Sequence, residues 1–404
     1  MNKKLSNLDA GPRSAARYSV VDTQEVPSVE TVLRKGKKFD KKKGGHHHVE
    51  ARPGEYVYDR AMSRDSSIIN VLCCMNANAV QTDTSLKEAP PDIDFHANSY
   101  VKLSHGVTAY KLLEPSEVGD DELADNTPVI ICLHGISDSS YIWSDLADLL
   151  CDYELGPSSR VLVYDMYGRG RSPWTSVPMT MNVLVTQLKD LLEYLDLFDE
   201  HPVHLIGYDL GGAVALGFSA KFGNHVASMT LLAPFGMHHV WLNKEKLLKQ
   251  KYIGEFLMLR RKGKMADEVD KEYLETGIDV PHANLIKKQK AMVEWQIKNT
   301  PGYLGAILST YRLFPIRGMQ ELFLAVGRHT RPTCVLWGDH DNICPYKACI
   351  VGIEEAFPNC SIVDVIDCGH NCLFEKFEDV AKEILSFYKI VFDKLYAHNE
   401  EEEH

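Results

Sequence analysis

The residues best placed to do chemistry lie in His204-Leu205-Ile206-Gly207-Tyr208-Asp209-Leu210-Gly211-Gly212-Ala213. An apolar run feeds a Gly-x-Asp-x-Gly-Gly turn, and a second apolar run leaves it. In that layout a sharp strand-to-helix turn pushes one side chain out above a sheet. The flanking glycines are required because larger residues would collide with the strand and helix on either side. Asp209 holds the exposed position. A helix N-terminus favours an anion there, through free backbone N–H groups and the helix dipole. A carboxylate so held can attack an electrophilic carbon.

Three further segments supply what such an attack needs. Leu133-His134-Gly135-Ile136 ends an apolar run, and its glycine lets the chain turn so that the Ile136 N–H, with that of Leu210, forms an oxyanion hole. Trp337-Gly338-Asp339-His340-Asp341-Asn342-Ile343-Cys344-Pro345 ends another such run in a carboxylate-rich turn, and Cys368-Gly369-His370-Asn371 follows the last. Gly-His pairs and Gly-Asp turns are common, so each alone is weak. Four together, at the ends of strand-like runs and in the chain order nucleophile, acid, histidine, are a strong signal.

Positioning these turns requires a sheet. Eight short apolar runs read as strands: 99–103, 108–113, 129–133, 161–164, 203–206, 229–233, 333–337 and 361–366, the first two joined by a turn at His105-Gly106. Helical segments alternate with them, the signature of a mostly parallel sheet covered on both faces. Leu184, Leu188, Leu191, Leu192 and Leu195 recur at helical spacing, with Asn182 as a possible cap. The segment 210–222 is apolar nearly all round, as expected for a helix buried under the sheet. Residues 236–328 break the alternation with charged, helix-favouring sequence, read as an inserted helical lid, and 380–395 forms a final helix.

The remaining chain divides by composition. Residues 1–95 read as a largely disordered basic arm, expected to be dispensable for folding, and 96–396 as the folded domain; 397–404 is an acidic tail. The arm contains the cluster Arg34-Lys35-Gly36-Lys37-Lys38-Phe39-Asp40-Lys41-Lys42-Lys43, read first as a solvated charge run and second as an import signal or anionic-surface contact. His46, His47 and His48 lack the fixed geometry of a metal site, and the short apolar run 68–74 with Cys73 and Cys74 reads first as a local packing strand and second as a site of reversible acylation. Net charge is −12 over 404 residues, although residues 1–60 carry thirteen Lys/Arg against eight Asp/Glu. The acidic body excludes nucleic-acid binding as the main task. No run of about 18 uncharged apolar residues is present and no secretory core follows the first residues, so neither stable membrane insertion nor secretion is expected. Ten scattered cysteines, some in strand-like runs (Cys132, Cys334), fit a reducing, cytoplasmic setting.

On these motifs, residues of about 99–393 resemble the α/β-hydrolases that include monoacylglycerol lipases, carbon-carbon bond hydrolases and epoxide hydrolases. The segments Tyr164-Asp165-Met166-Tyr167-Gly168-Arg169-Gly170-Arg171-Ser172, Gly302-Tyr303-Leu304 with Ser309-Thr310-Tyr311-Arg312, and 337–345 are most similar to the serine-dependent esterase branch. The resemblance implies that Asp341, four residues before Pro345, is the acid of the triad and Asp339 a turn residue beside it. It implies no cofactor and no metal. It also marks the departure: Asp209 stands where most such relatives hold serine. Families similar in using aspartate are the epoxide hydrolases and dehalogenases, in which the carboxylate forms an ester that histidine-activated water cleaves. Leu210 and Ile136 stand where dehalogenases keep halide-binding residues. Epoxide hydrolases protonate the opening oxygen with lid tyrosines; this segment offers Tyr252, Tyr273, Tyr303 and Tyr311, with Tyr303 and Tyr311 the candidate donors.

Three readings follow. Asp209 works as a nucleophile on a small to medium apolar substrate, most readily an epoxide, with His370 and Asp341 activating water. Alternatively the site hydrolyses esters or lipids, or it has lost catalysis and binds an apolar ligand or a partner.

Overall fold

The computed structural model describes residues 97–115, 127–152, 159–199, 201–238, 242–274, 283–365 and 367–396. The arm with its basic cluster, the histidines 46–48, the run 68–74 and the acidic tail lie outside the described residues.

Eight strands form one sheet: β1 (Ser99–Leu103), β2 (Gly106–Leu113), β3 (Val129–Leu133), β4 (Arg160–Tyr164), β5 (Val203–Tyr208), β6 (Val226–Leu232), β7 (Thr333–Gly338) and β8 (Ser361–Val365). Their spatial order is β1-β2-β4-β3-β5-β6-β7-β8. β1 to β2 and β2 to β4 pair antiparallel, and every later pairing is parallel. This is the expected α/β architecture, with all eight strand expectations matched. β3, β5 and β7 are buried at every position, because helices cover both faces and no residue along these strands looks to water. The first turn is Ser104-His105 rather than His105-Gly106, since Gly106 already pairs with Leu103.

The helices of the alternating part are α1 (Ser144–Cys151), α2 (Met181–Tyr194) and α3 (Leu210–Lys221). α3 is buried on nearly all sides, as its sequence requires. The cap of α2 differs from expectation. Thr180 precedes the helix, and its hydroxyl accepts from the Val183 N–H at 3.3 Å. Asn182 lies inside the first turn, its carbonyl oxygen taking the Lys221 ammonium at 3.2 Å.

Between β6 and β7 the chain inserts α4 (Leu242–Lys249), α5 (Ile253–Arg261), α6 (Met265–Leu274), α7 (Ala283–Asn299), α8 (Tyr303–Leu313) and α9 (Gln320–Gly327). α10 (Tyr346–Ala356), the short α11 (Cys372–Glu375) and α12 (Phe377–Leu395) complete the fold. Eight cysteines among the described residues are free thiols, Cys132 and Cys334 sitting in the core as small hydrophobes.

Candidate active site

The four motif turns converge at the carboxyl ends of β3, β5, β7 and β8. Asp209 follows β5 directly and takes φ 55° and ψ −115°, a conformation that an L residue keeps only where its surroundings impose it. The surroundings here are tight. A side chain on Gly211 would lie 2.0 Å from the Leu133 carbonyl oxygen, and one on Gly207 would meet the Gly211 carbonyl at 2.6 Å. Strand, turn and helix therefore approach closely enough to fix the turn only because both positions are glycine.

The two oxygens of Asp209 have different environments. Oδ2 accepts the Ile136 N–H at 2.7 Å. Oδ1 is buried without a hydrogen bond and faces His370 Nε2 at 3.6 Å, an ion-pair distance beyond hydrogen-bond range. His370 donates through Nδ1 to Asp341 Oδ2 at 2.8 Å. Asp341 is held in turn by the Trp337 indole N–H at 3.0 Å and by the backbone N–H groups of Ile343 and Cys344, both at 2.8 Å. Burial alone would pull the His370 imidazole down, but the carboxylates of Asp341 and then Asp209 outweigh it and hold the ring well above its ordinary value. The resting arrangement is an imidazolium between two carboxylates.

Asp339, the neighbouring acid, belongs to a separate brace. Its Oδ1 accepts the Cys368 N–H at 3.1 Å and meets His340 Nδ1 at 2.8 Å, tying the β7 turn to the turn after β8. Asp339, His340 and Asp367 are near enough together to share a cation, but they lie on an exposed turn away from the triad.

Several contributors carry no signal of their own in the sequence. His134 is fully buried and pushed down to about 3 by that burial, so it stays neutral. Its Nε2 accepts the Met166 N–H at 2.9 Å, which leaves Nδ1 to donate to the Gly135 carbonyl at 2.8 Å; the ring thus pins the turn that presents Ile136. Tyr208 donates its hydroxyl to Asn371 Oδ1 at 2.5 Å, anchoring the loop that carries His370. Arg169 is buried, its guanidinium pulled down to about 10 by the loss of water. It donates to the Ile136 carbonyl at 3.1 Å, the Tyr167 carbonyl at 3.0 Å and the Thr310 hydroxyl at 2.8 Å, all neutral acceptors. Asp209 offsets its charge from farther away. Asp138 adds another buried carboxyl: a methyl on Gly135 would lie 2.5 Å from Asp138 Oδ2 and 3.0 Å from Asp209 Oδ2.

A cavity of about 80 Å³ opens above Asp209. Ile136, Asp138, Tyr208, Phe235, Ile343 and His370 line its floor, while Met265, Val269, Gln289, Val293 and Tyr311 come from the insertion. The candidate tyrosines separate here. Tyr311 borders the cavity; Tyr303 does not, because its hydroxyl donates to the Ser137 carbonyl at 2.9 Å. Tyr252 is 52% exposed on the outer side of the insertion. The Tyr273 side chain lies outside the described residues. Leu210 begins α3 directly after Asp209, and among the described contacts the backbone donor to the Asp209 carboxylate is Ile136.

A family model described as the alpha/beta hydrolase fold matches residues 128–264. Human monoacylglycerol lipase ABHD6 is 23% identical over 280 residues, covering 64% of this chain and 75% of the relative. Lipase LipV of Mycobacterium tuberculosis is 34% identical over 105 residues, covering 26% of this chain and 36% of the lipase. A thermophilic esterase from Thermogutta terrifontis has a TM-score of 0.57 at 21% identity, covering 73% of this chain and 99% of that one. Sheet order, elbow and these matches agree, and the chain has the α/β-hydrolase fold. It spans about half the length of one Bacillus subtilis relative, 48%, and 36% of LipV.

Proposed function

We propose that the protein is a hydrolase that uses Asp209 as a covalent nucleophile on a small apolar electrophile, an epoxide being the substrate class that fits best. One observation carries the reading: Asp209 Oδ2 rests on the Ile136 N–H while Oδ1 has no hydrogen bond and faces the cavity side of His370. The free oxygen is the one able to attack. In the first step the Oδ1 electron pair forms a bond to an epoxide carbon, the ring C–O bond breaks, and the opening oxygen takes a proton from Tyr311.

The second step uses the other oxygen. Alkylation removes the negative charge of Asp209, one of the causes that hold His370 protonated. With that support lost, the imidazole gives up its proton, which replaces the one that Tyr311 donated, and becomes a base. Water loses a proton to Nε2 and attacks the ester carbon, and the developing oxyanion is Oδ2, already seated on the Ile136 N–H. Collapse breaks the Cγ–Oδ1 bond, Oδ1 takes the proton from Nε2 and leaves as the product hydroxyl, and the water oxygen stays in Asp209, whose remaining acid proton returns to the imidazole.

The same contact weighs against direct ester hydrolysis in the serine manner. An ester carbonyl would need the Ile136 N–H that the protein's own carboxylate occupies. The lipase and esterase names among the relatives keep that chemistry as the alternative. A cavity of about 80 Å³, below the ~300 Å³ or more of drug-sized sites, favours short substrates, or longer ones after α6 and α7 move apart.

His370→Gln tests the proposal. Incubated with aliphatic and aryl epoxides, it should stall after the first step, and peptide mass analysis should find substrate mass on the peptide containing Asp209. Asp209→Asn should remove the adduct while retaining the fold. Wild type turning over in heavy-oxygen water should carry label in the Asp209 carboxylate. Turnover of an epoxide with no label ever entering Asp209 would sink the covalent role, and label in an ester product alone would favour the esterase reading.

A further inference from the structure

Twelve large hydrophobic residues are exposed among the described residues, and six of them belong to the insertion: Leu247, Tyr252, Ile253, Phe256, Leu259 and Leu313. Phe256 is the most open of these, at 61%. Tyr252, Phe256 and Leu259 follow at steps of four and three, so they form one stripe with Ile253 beside it, while Gly254, Glu255 and Met258 turn into the protein. An outward apolar stripe of this kind on a surface helix marks a contact site rather than a chance scatter.

Its charge is opposite to that of the chain. Residues 244–264 contain eight Lys/Arg and two Glu in a protein of net charge −12. Lys246, Lys249, Lys251, Arg260, Lys262 and Lys264 are exposed around the stripe. Glu255 does not offset them at the surface, because it is buried and takes the Arg312 guanidinium at 2.6 and 2.9 Å. Arg312 also donates to the Leu248 and Gln250 carbonyls at 2.9 and 3.0 Å, clamping the turn between α4 and α5 onto α8. The apolar stripe is therefore held outward on a braced support and ringed with cations.

From these observations we infer that the α4–α5 face docks on an anionic phospholipid surface, with Ile253 and Phe256 entering the acyl boundary and the lysines meeting headgroup phosphates. An apolar helix face with a basic surround lies in such an interface plane, and its binding scales with apolar area plus attraction to anionic lipid. The location has a consequence for access. Arg261 at the end of α5 and Met265 at the start of α6 line the cavity above Asp209, so an apolar molecule dissolved in the bilayer reaches the cavity mouth beside the docking face.

The full chain is tested by cosedimentation with vesicles of phosphatidylcholine alone and of phosphatidylcholine with phosphatidylserine. Binding should need the anionic lipid and weaken as salt rises. The exposed double variant Ile253→Ser with Phe256→Ser should lose about ten-fold in partitioning with its thermal midpoint unchanged. A separate variant with Lys37, Lys38, Lys41, Lys42 and Lys43 changed to Gln measures the contribution of the basic arm. In Phe256→Trp, brominated acyl chains should quench the added emission. Absence of wild-type binding, or binding abolished by the arm variant and untouched by the double variant, overturns the inference. So does an unquenched Phe256→Trp, or a concentration-dependent dimer that the double variant dissolves, since the face would then meet a second copy.

Discussion

The floor and the roof of the cavity are built on different principles. On the floor nearly every group is fixed by hydrogen bonds or charge: Asp209 to Ile136, His370 to Asp341, Asp341 to three donors, and Arg169 to three acceptors. The roof offers Met265, Val269 and Val293 beside the polar Arg261, Glu268, Gln289 and Tyr311, with Gln289 reaching Asp138 at 3.4 Å across the cavity. Directional bonds hold atoms to within tenths of an ångström, as bond making requires, whereas apolar packing tolerates repositioning. The sheet carries the triad and its braces, and the insertion covers the cavity above them.

Arg169 is the strongest way to break that contrast, because it belongs to the floor yet reaches the insertion at Thr310. Changing Arg169→Met removes three hydrogen bonds and takes one positive charge from the wider surroundings of Asp209, whose nearer cation is His370. We expect a loss of about 3 kcal/mol, in the range for breaking buried charged interactions, read from denaturant unfolding. Asp209→Ser alone leaves the cation uncompensated, so the double variant should cost less than the two losses added, by roughly 1 kcal/mol or more of coupling. Strict additivity would mean that the two charges do not support one another.

The legibility of the sequence follows the same division. The elbow, the Ile136 turn, Asp341 and His370 were readable because each sits at a strand end and steric need dictates the glycines beside it. All eight strands were readable for a related reason: covered parallel strands are short continuous apolar runs. Arg169 was quoted within a motif yet gave no hint of its burial, since an arginine in a polar turn reads as solvated. Tyr303 and Tyr311 were indistinguishable, because helical spacing says nothing about which hydroxyl a neighbouring carbonyl will claim. The cap at Thr180 was missed because Asn182, two residues later, is an equally good capping type.

A smaller effect separates the charges of the floor by pH. His370 is raised in the fold above its unfolded value of about 6.5, so its pairing stabilises fully below that pH and is lost as pH rises through the folded value. Asp341→Asn removes the larger of the two carboxylate contributions. The difference in thermal midpoint between wild type and Asp341→Asn should be widest in acid near pH 6 and narrow toward alkaline pH. A difference that widens with pH would mean that His370 rests neutral.

The smallest expected effect sharpens the contrast within the roof itself. Tyr303 and Tyr311 share α8 and are both buried. Only Tyr311 borders the cavity, while the Tyr303 hydroxyl is spent on the Ser137 carbonyl. Burial pushes the Tyr303 hydroxyl up, with the Asp138 carboxylate adding to the rise, so it is a poor acid. Tyr303→Phe should therefore cost about 1 kcal/mol of stability, the worth of a buried hydrogen bond, and leave epoxide turnover within about two-fold. Tyr311→Phe, which deletes a proton donor, should lower kcat about 100-fold. Steady-state kinetics and thermal unfolding on the two variants give four numbers, and the pattern matters more than any one of them. If Tyr303→Phe carries the kinetic loss and Tyr311→Phe the stability loss, the hydroxyl that meets the substrate is the one held by Ser137. Proton delivery would then require α8 to shift before ring opening, and the roof would be a moving part of the chemistry rather than a cover for it.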